Sequence, residues 1–186
     1  MVNILFTGGA GFIGSHVVRI LLERYSVPVR VMHLPHDNMI NLKNLDVELF
    51  SGDITSAEDV STAVAGCDVV FHLAAVYALW LPDMTLMDRV NVGGTRLLFE
   101  ECVKQGVERV VYTSSFARFA GQGLDATCDE TSPFKLNCSY YSRTKYESHQ
   151  MAERYAKNGL DVVIVNPACP LGPGDYGPTP TGRLIA

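Results

Sequence analysis

Tyr141-Ser142-Arg143-Thr144-Lys145 sets a phenol and an ammonium four residues apart, a spacing that puts both on one face of a helix. A phenol titrates near ~10, too high for proton transfer at neutral pH, and an adjacent ammonium favours the phenolate and draws that value down. The pair therefore suits general acid/base work. Tyr140 raises a question of register. Five residues from Lys145 is about 500° around a helix, whereas four residues is nearly eclipsed, so the spacing selects Tyr141.

An isolated Tyr-Lys pair of this kind is as often a surface feature, so its weight comes from Thr7-Gly8-Gly9-Ala10-Gly11-Phe12-Ile13-Gly14 upstream. This G-x-x-G-x-x-G run follows an apolar segment and leads into a helix starting near Ser15. Gly8 permits the tight turn, Gly11 lets backbone N–H groups approach a pyrophosphate, and Gly14 lets the helix pack close to the strand. Phe12 and Ile13 stand in the same turn, where the helix N-terminus faces the anion. A glycine turn placed between strand and helix reads as a dinucleotide site.

Other polar positions are ambiguous on the sequence. Asp53 suits either a cofactor contact or a turn carboxylate before Thr55 and the helix near Ser56. His72 lies in a mostly apolar stretch and reads as a hydrogen-bonded strand-end histidine, not a base. Tyr112-Thr113-Ser114-Ser115 ends a strand on the edge where ligands sit in open α/β sheets, though hydroxyls also cap such ends for purely local reasons. The second strand ends Val31-Met32-His33-Leu34-Pro35-His36-Asp37, where an acid would favour NAD and an arginine NADP. Neither stands at the usual place: Asp37 is displaced, Arg30 is inside the strand, and His33 or His36 suits either cofactor. NAD and NADP both remain open. Cys169 has no paired histidine nearby and reads as a small packing residue. No metal-ligand spacing, G-x-S-x-G or G-x-x-x-x-G-K-[ST] occurs, which argues against hydrolase and NTPase chemistry.

The elements that must position these residues are legible. Val2 to Thr7, Val29 to His33, Val47 to Phe50, Val69 to Leu73, Arg109 to Thr113 and Asp161 to Val165 read as strands apolar on both faces. Helix-period segments Ser15 to Tyr25, Ala57 to Ala65, Gly94 to Lys104 and Tyr141 to Lys157 alternate with them. The pattern predicts an α/β fold, a Rossmann-like doubly wound parallel sheet with helices on both faces. Five of the nine prolines fall between Pro167 and Pro180, so that stretch is expected to be extended or turning. The expected division is a dinucleotide-binding domain over 1–175 and a Pro-rich tail over 176–186, the tail reading as the start of a missing substrate-binding region.

These motifs together resemble the extended short-chain dehydrogenase/reductases, and within them the NAD-dependent epimerase/dehydratase family near its dihydroflavonol-4-reductase-like and hopanoid-associated sugar epimerase-like members. The resemblance covers essentially the whole chain. It implies that the Asp53 carboxylate of Gly52-Asp53-Ile54 meets the adenine amino group, with Ile54 beside it. It implies too that His72-Leu73-Ala74-Ala75 passes beside the ribose and phosphates, placing Leu73, Ala74 and Ala75 on the cofactor. Asn91-Val92-x-Gly94-Thr95 would begin the next helix, and Asn166-Pro167-x-x-x-x-Gly172-Pro173-x-Asp175 would pass under the nicotinamide. Thr113, Pro167 and His33 then join the expected cofactor set. The catalytic trio implied is Ser115 to polarise the substrate oxygen, Tyr141 as acid/base, and Lys145 to tune the phenol and hold the ribose. The resemblance also implies hydride transfer to or from a small-molecule alcohol or carbonyl, of nucleotide-sugar or dihydroflavonol type. A cofactor-binding module without turnover is the competing expectation. Helices Gly94 to Lys104 and Tyr141 to Lys157 resemble a four-helix homodimer interface, while their apolar faces equally suit packing on the sheet.

Composition bounds the partners. The 186 residues carry a formal charge of −5, so no basic field draws the chain to nucleic acid. Five cysteines without a C-x-x-C pair fit a reduced cytosol, and no apolar run reaches the roughly 18 residues that span a bilayer. A cytoplasmic location is expected.

Overall fold

The computed structural model describes residues 2–119, 127–129, 131–134 and 139–184. Six strands, β1 (Ile4–Thr7), β2 (Val29–His33), β3 (Glu48–Ser51), β4 (Val69–His72), β5 (Arg109–Thr113) and β6 (Asp161–Val165), form one parallel sheet in the order β3-β2-β1-β4-β5-β6. The order reverses direction between β1 and β4, and the strand C-termini on either side of that point form the mouth where ligands collect in such sheets.

The helices are α1 (Phe12–Arg24), α2 (Ala57–Val64), α3 (Thr85–Met87), α4 (Thr95–Gln105) and α5 (Tyr140–Lys157). Each face of the sheet has its own core. Phe6, Val18, Val29 and Val31 pack with the helix α1 side, where the Phe6 and Phe71 rings stack at 4.6 Å. Leu5, Val70, Val110 and Tyr112 pack with Val60, Leu98, Phe99 and Ala152 from α2, α4 and α5. The apolar faces of α4 and α5 are thus turned onto the sheet and each other, with Phe99 and Tyr155 stacked at 5.0 Å.

Two local readings change. Helix α1 starts at Phe12, not Ser15, because Gly11 takes the extended cap conformation (φ −69°, ψ 173°) and the chain turns helical at once. The helix expected from Gly94 begins earlier, with α3 running through a π turn over Asp88–Gly94 into α4. The outer strands are also not apolar-buried on both faces. Val162 and Ile164 of β6 pack against the core, whereas Val163 and Val165 are exposed. After β6, residues 166–181 run as turns and extended backbone, as the prolines require, before a short 3-10 turn over Gly182–Leu184.

Candidate active site

The ends of β1 to β4 surround a cleft of about 840 Å3. Thr7, Gly8, Gly11 and Phe12 line it from the glycine turn, His33, Leu34, His36 and Asp37 from β2, Asp53 and Ile54 from β3, and Leu73, Ala74 and Ala75 from β4. Gly8 has φ 74°, and a Cβ there would lie 2.6 Å from the Ala74 backbone nitrogen, so the turn requires glycine. A Cβ on Gly14 would collide with the Gly8 carbonyl, which is how closely α1 sits on the turn. Gly14 and Ile13 stand behind the lining.

Helix α1 has no side-chain cap and no acid in its first turn. Its leading N–H groups and the positive end of its dipole therefore favour an anion beside the glycine turn. The donor set fits a pyrophosphate. Among the described residues no three His, Cys, Asp or Glu side chains gather as a metal site.

Asp53 is a turn carboxylate that also lines the cleft. Its Oδ1 accepts from Thr55 N and Oγ1, each at 2.8 Å, and the residue still lines the cleft. Ser56, not Asp53, caps α2 through Asp59 N. At the end of β2, His33 Nδ1 lies 2.8 Å from the Leu34 carbonyl, so that nitrogen carries the proton. Asp37 Oδ2 accepts from Leu34 N at 2.9 Å, which draws its carboxylate back onto the strand end.

The second group of residues converges outside that lining. Ser139 Oγ accepts from Ser142 N at 3.1 Å and starts α5, whose first turn carries Tyr141. One turn on, buried Lys145 donates to the Thr113 carbonyl at 2.8 Å, with its ammonium 5.0 Å from the centre of the Tyr112 ring. Burial pushes the Lys145 ammonium down from its usual value, and the Tyr141 phenolate opposes that shift. Burial also lifts the Tyr141 phenol, against the Lys145 charge and the hydrogen bond from Ser115. The ammonium draws the phenol down, as the spacing predicts, but in the folded chain desolvation is the larger effect. Ser115, Tyr141 and Lys145 are nonetheless together. The Tyr77 ring packs on Tyr141 at 4.7 Å, and the Tyr77 hydroxyl lies 3.1 Å from Thr181 Oγ1. Tyr140 faces elsewhere, donating to the Asp88 carboxylate beneath the Arg143 guanidinium.

Several expected cofactor residues hold the frame. Asn91 is buried, accepts from Val76 N at 2.7 Å, and donates to Val76 O at 3.0 Å and Thr144 Oγ1 at 3.1 Å. It ties the loop after β4 to α5 from the π turn. Thr113 offers its carbonyl to Lys145, and the Pro167 carbonyl accepts from Phe116 N at 2.9 Å, joining the end of β6 to the Ser115 turn. His72 is core: Thr7 Oγ1 lies 2.6 Å from Nδ1 and Thr95 Oγ1 2.9 Å from Nε2. Burial, helped by the Lys145 charge, lowers it to about 3. Among the cysteines, burial pushes Cys102 up to about 12 and raises Cys67, Cys169 is exposed, and Cys138 lies outside the described residues.

Three features escaped the sequence. Arg89 reaches the cleft from the π turn, held by Asp83 at 2.9 Å and Thr85 at 2.7 Å. His149, buried on α5, meets Ser114 Oγ through Nδ1 at 2.8 Å and Glu153 through Nε2 at 3.3 Å. Gly174, Asp175, Tyr176, Gly177 and Thr179 cross back to line the cleft. That strap is fastened by His16 to the Pro173 carbonyl at 2.9 Å and by Asn41 to the Gly174 carbonyl at 3.1 Å. The resemblance carries this loop to the site only as far as Asp175, through the Asn-Pro and Gly-Pro spacing after β6; Tyr176, Gly177 and Thr179 have no signal in the sequence.

Comparison with known proteins places this geometry. The model of the NAD dependent epimerase/dehydratase family matches residues 4–186. A putative dihydroflavonol 4-reductase of Synechocystis is 41% identical over 96% of this chain and 52% of its own length. Sterol demethylase protein B of Methylococcus capsulatus is 37% identical over 97% of this chain and 55% of its own. The chain thus spans about half the length of the curated relatives it matches. The solved UDP-glucose 4-epimerase of Thermus thermophilus, in complex with NAD, superposes with a TM-score of 0.87 at 30% identity, covering 97% of this chain and 60% of that one.

Proposed function

We propose that this chain, which belongs to the NAD dependent epimerase/dehydratase family, is the cofactor-binding and proton-transferring part of an oxidoreductase acting on a flat, largely apolar alcohol or carbonyl of dihydroflavonol or sterol type. The observation that carries the substrate class is the apolar surface beside Tyr141. Tyr77, packed on it, is 40% exposed and is followed by Leu79 at 76% and Trp80 at 73%, while Phe116 next to Ser115 is 51% exposed. Large apolar side chains left in water along the loop whose Tyr77 packs on the half-buried Tyr141 favour a ligand that covers them. The names of the reductase and sterol relatives support the same class.

Bound NAD or NADP supplies the hydride donor or acceptor at its nicotinamide ring. The glycine turn and the start of α1 hold its pyrophosphate, and Asp53 and Ile54 lie where the adenine belongs. Tyr141 gives a proton to the substrate oxygen in reduction and takes it in oxidation. Ser115 donates a hydrogen bond to that oxygen, and Lys145, anchored on Thr113, stabilises the phenolate. A reductase performs one half of this cycle; an epimerase returns the hydride to the other face. A nucleotide-sugar substrate is the second reading, supported by the likeness to the Thermus epimerase.

The test offers the purified chain NADH and NADPH with a dihydroflavonol, a 3β-hydroxysterol and UDP-glucose, beside Tyr141→Phe. Turnover of a flat substrate is expected to fall at least ~100-fold in the variant, with cofactor affinity within about twofold. Turnover of UDP-glucose alone would install the second reading. Cofactor binding without any turnover would leave a nucleotide-binding module.

A further inference from the structure

We infer that His149 is a positioning residue for the reaction proposed above: through its bond to Ser114 it holds the adjoining Ser115 where Tyr141 can use it. The inference rests on that reading of Ser115 and Tyr141, and it follows from how α5 is tied to the end of β5. Tyr141, Lys145 and His149 stand four residues apart, so successive turns of one helix carry them on one face. Each meets one of three consecutive residues. Ser115 hydrogen-bonds the Tyr141 phenol, the Thr113 carbonyl accepts from Lys145 at 2.8 Å, and Ser114 Oγ lies 2.8 Å from His149 Nδ1.

The three ties are not equivalent. Ser115, Tyr141 and Lys145 take part in the chemistry, and their bonds change as a proton moves. The Ser114 and Phe116 N–H groups donate to the Val165 and Pro167 carbonyls at 2.8 and 2.9 Å, which fixes the turn along the sheet. Out of the sheet, toward α5, His149 supplies the tie beside Ser115 that the reaction leaves alone. The Tyr112 hydroxyl, donating to Ser148 Oγ at 2.7 Å, repeats that tie deeper in the core.

The His149 ring is itself held. It is 3% exposed, with Nε2 at 3.3 Å from one Glu153 carboxylate oxygen, and the other oxygen accepts from the Gln150 amide at 3.2 Å. Burial and then the Arg118 charge lower His149 from its usual value against the pull of Glu153, and Lys145 adds to the lowering. A neutral ring facing a carboxylate carries its proton on Nε2, so Nδ1 accepts the Ser114 hydroxyl proton. Serine, histidine and glutamate in this order resemble a nucleophile with its base. Ser114 is only 4% exposed, too deep for a substrate carbon to reach, so its bond to His149 serves position.

Steady-state kinetics of the chain with NADH or NADPH and the dihydroflavonol, 3β-hydroxysterol and UDP-glucose named above test this. The variants are His149→Leu, His149→Asn, Ser114→Ala, and His149→Leu combined with Ser114→Ala. His149→Leu is expected to lower kcat at least ~10-fold while substrate KM and cofactor affinity stay within about twofold, because a misplaced donor is felt in the transition state. His149→Asn, whose amide oxygen can accept the Ser114 proton from near the Nδ1 position, should recover at least about threefold of that loss. Ser114→Ala should match His149→Leu, and the double variant should lie within about twofold of either single one, since both cut the same bond. An undiminished kcat in Ser114→Ala, no recovery in His149→Asn, or losses that multiply in the double variant would overturn the positioning role and leave the enzyme standing. Should a melting curve show that His149→Leu does not fold, Ser114→Ala decides, by the same loss of kcat or its absence. A wild-type chain that binds cofactor without turnover would overturn the proposed function and this inference with it.

Discussion

Two threonine hydroxyls hold the His72 imidazole neutral. Thr95 Oγ1 gives its proton to the Asn91 carbonyl at 2.6 Å, so it accepts from Nε2–H, and Nδ1 in turn accepts from Thr7. With the folded value at about 3, the unfolded chain takes up this proton first as pH falls. The stabilisation is complete above the unfolded value of about 6.5 and declines by up to ~1.4 kcal/mol per pH unit toward the folded one. Urea midpoints followed from about pH 7 down to about pH 4 should show that decline, and His72→Gln should flatten it by close to one proton. The sequence identified this histidine as core because its neighbours are apolar, and it separated Tyr141 from Tyr140 by angle alone. Arg89 left no such trace, because its reach into the cleft depends on a turn that residue types did not announce.

Strands were legible to within a residue or two because each is a short β-branched or apolar run closed by Gly, Pro or polar residues. The start of the helix before Thr95 was not. Pro82-Asp83 and Gly93-Gly94 punctuate that stretch as a loop would, and the π turn survives there because the buried Asn91 side chain bonds both polar groups of the Val76 backbone. The strap over the cleft was hidden for a similar reason, since its position comes from Asn41 and His16, distant in sequence. Asn41 also donates to the Ala10 carbonyl at 3.2 Å, so one amide holds strap and glycine turn together. Asn41→Ala should weaken NADH binding about three- to tenfold by loosening both, with a thermal midpoint lowered by only a few degrees. Titration and a melting curve on the same sample check this; unchanged affinity would make the strap a bystander.

At the scale of the molecule, alternating strands and helices announced a doubly wound sheet, and its two-sided core follows from strands that are apolar on both faces. The runs could not say which strands would end up outermost, since β6 is as rich in valine as the central strands. The two borders of the sheet differ in consequence. On β3 the Glu48 carboxylate pairs with Arg30 of β2 at 3.0 Å, a charge set at the margin. On β6 the exposed Val163 and Val165 stand beside backbone groups with no strand beyond them among the described residues, and the strand's only charge is Asp161 at its start. Such a border templates the addition of another chain. Val163→Lys should therefore raise the protein concentration at which light scattering sets in, without changing the unfolding free energy from urea titration by more than about 0.5 kcal/mol. One rim of the sheet is thus where association between copies in concentrated solution is expected to begin, and a single lysine there is expected to separate shelf life from fold stability.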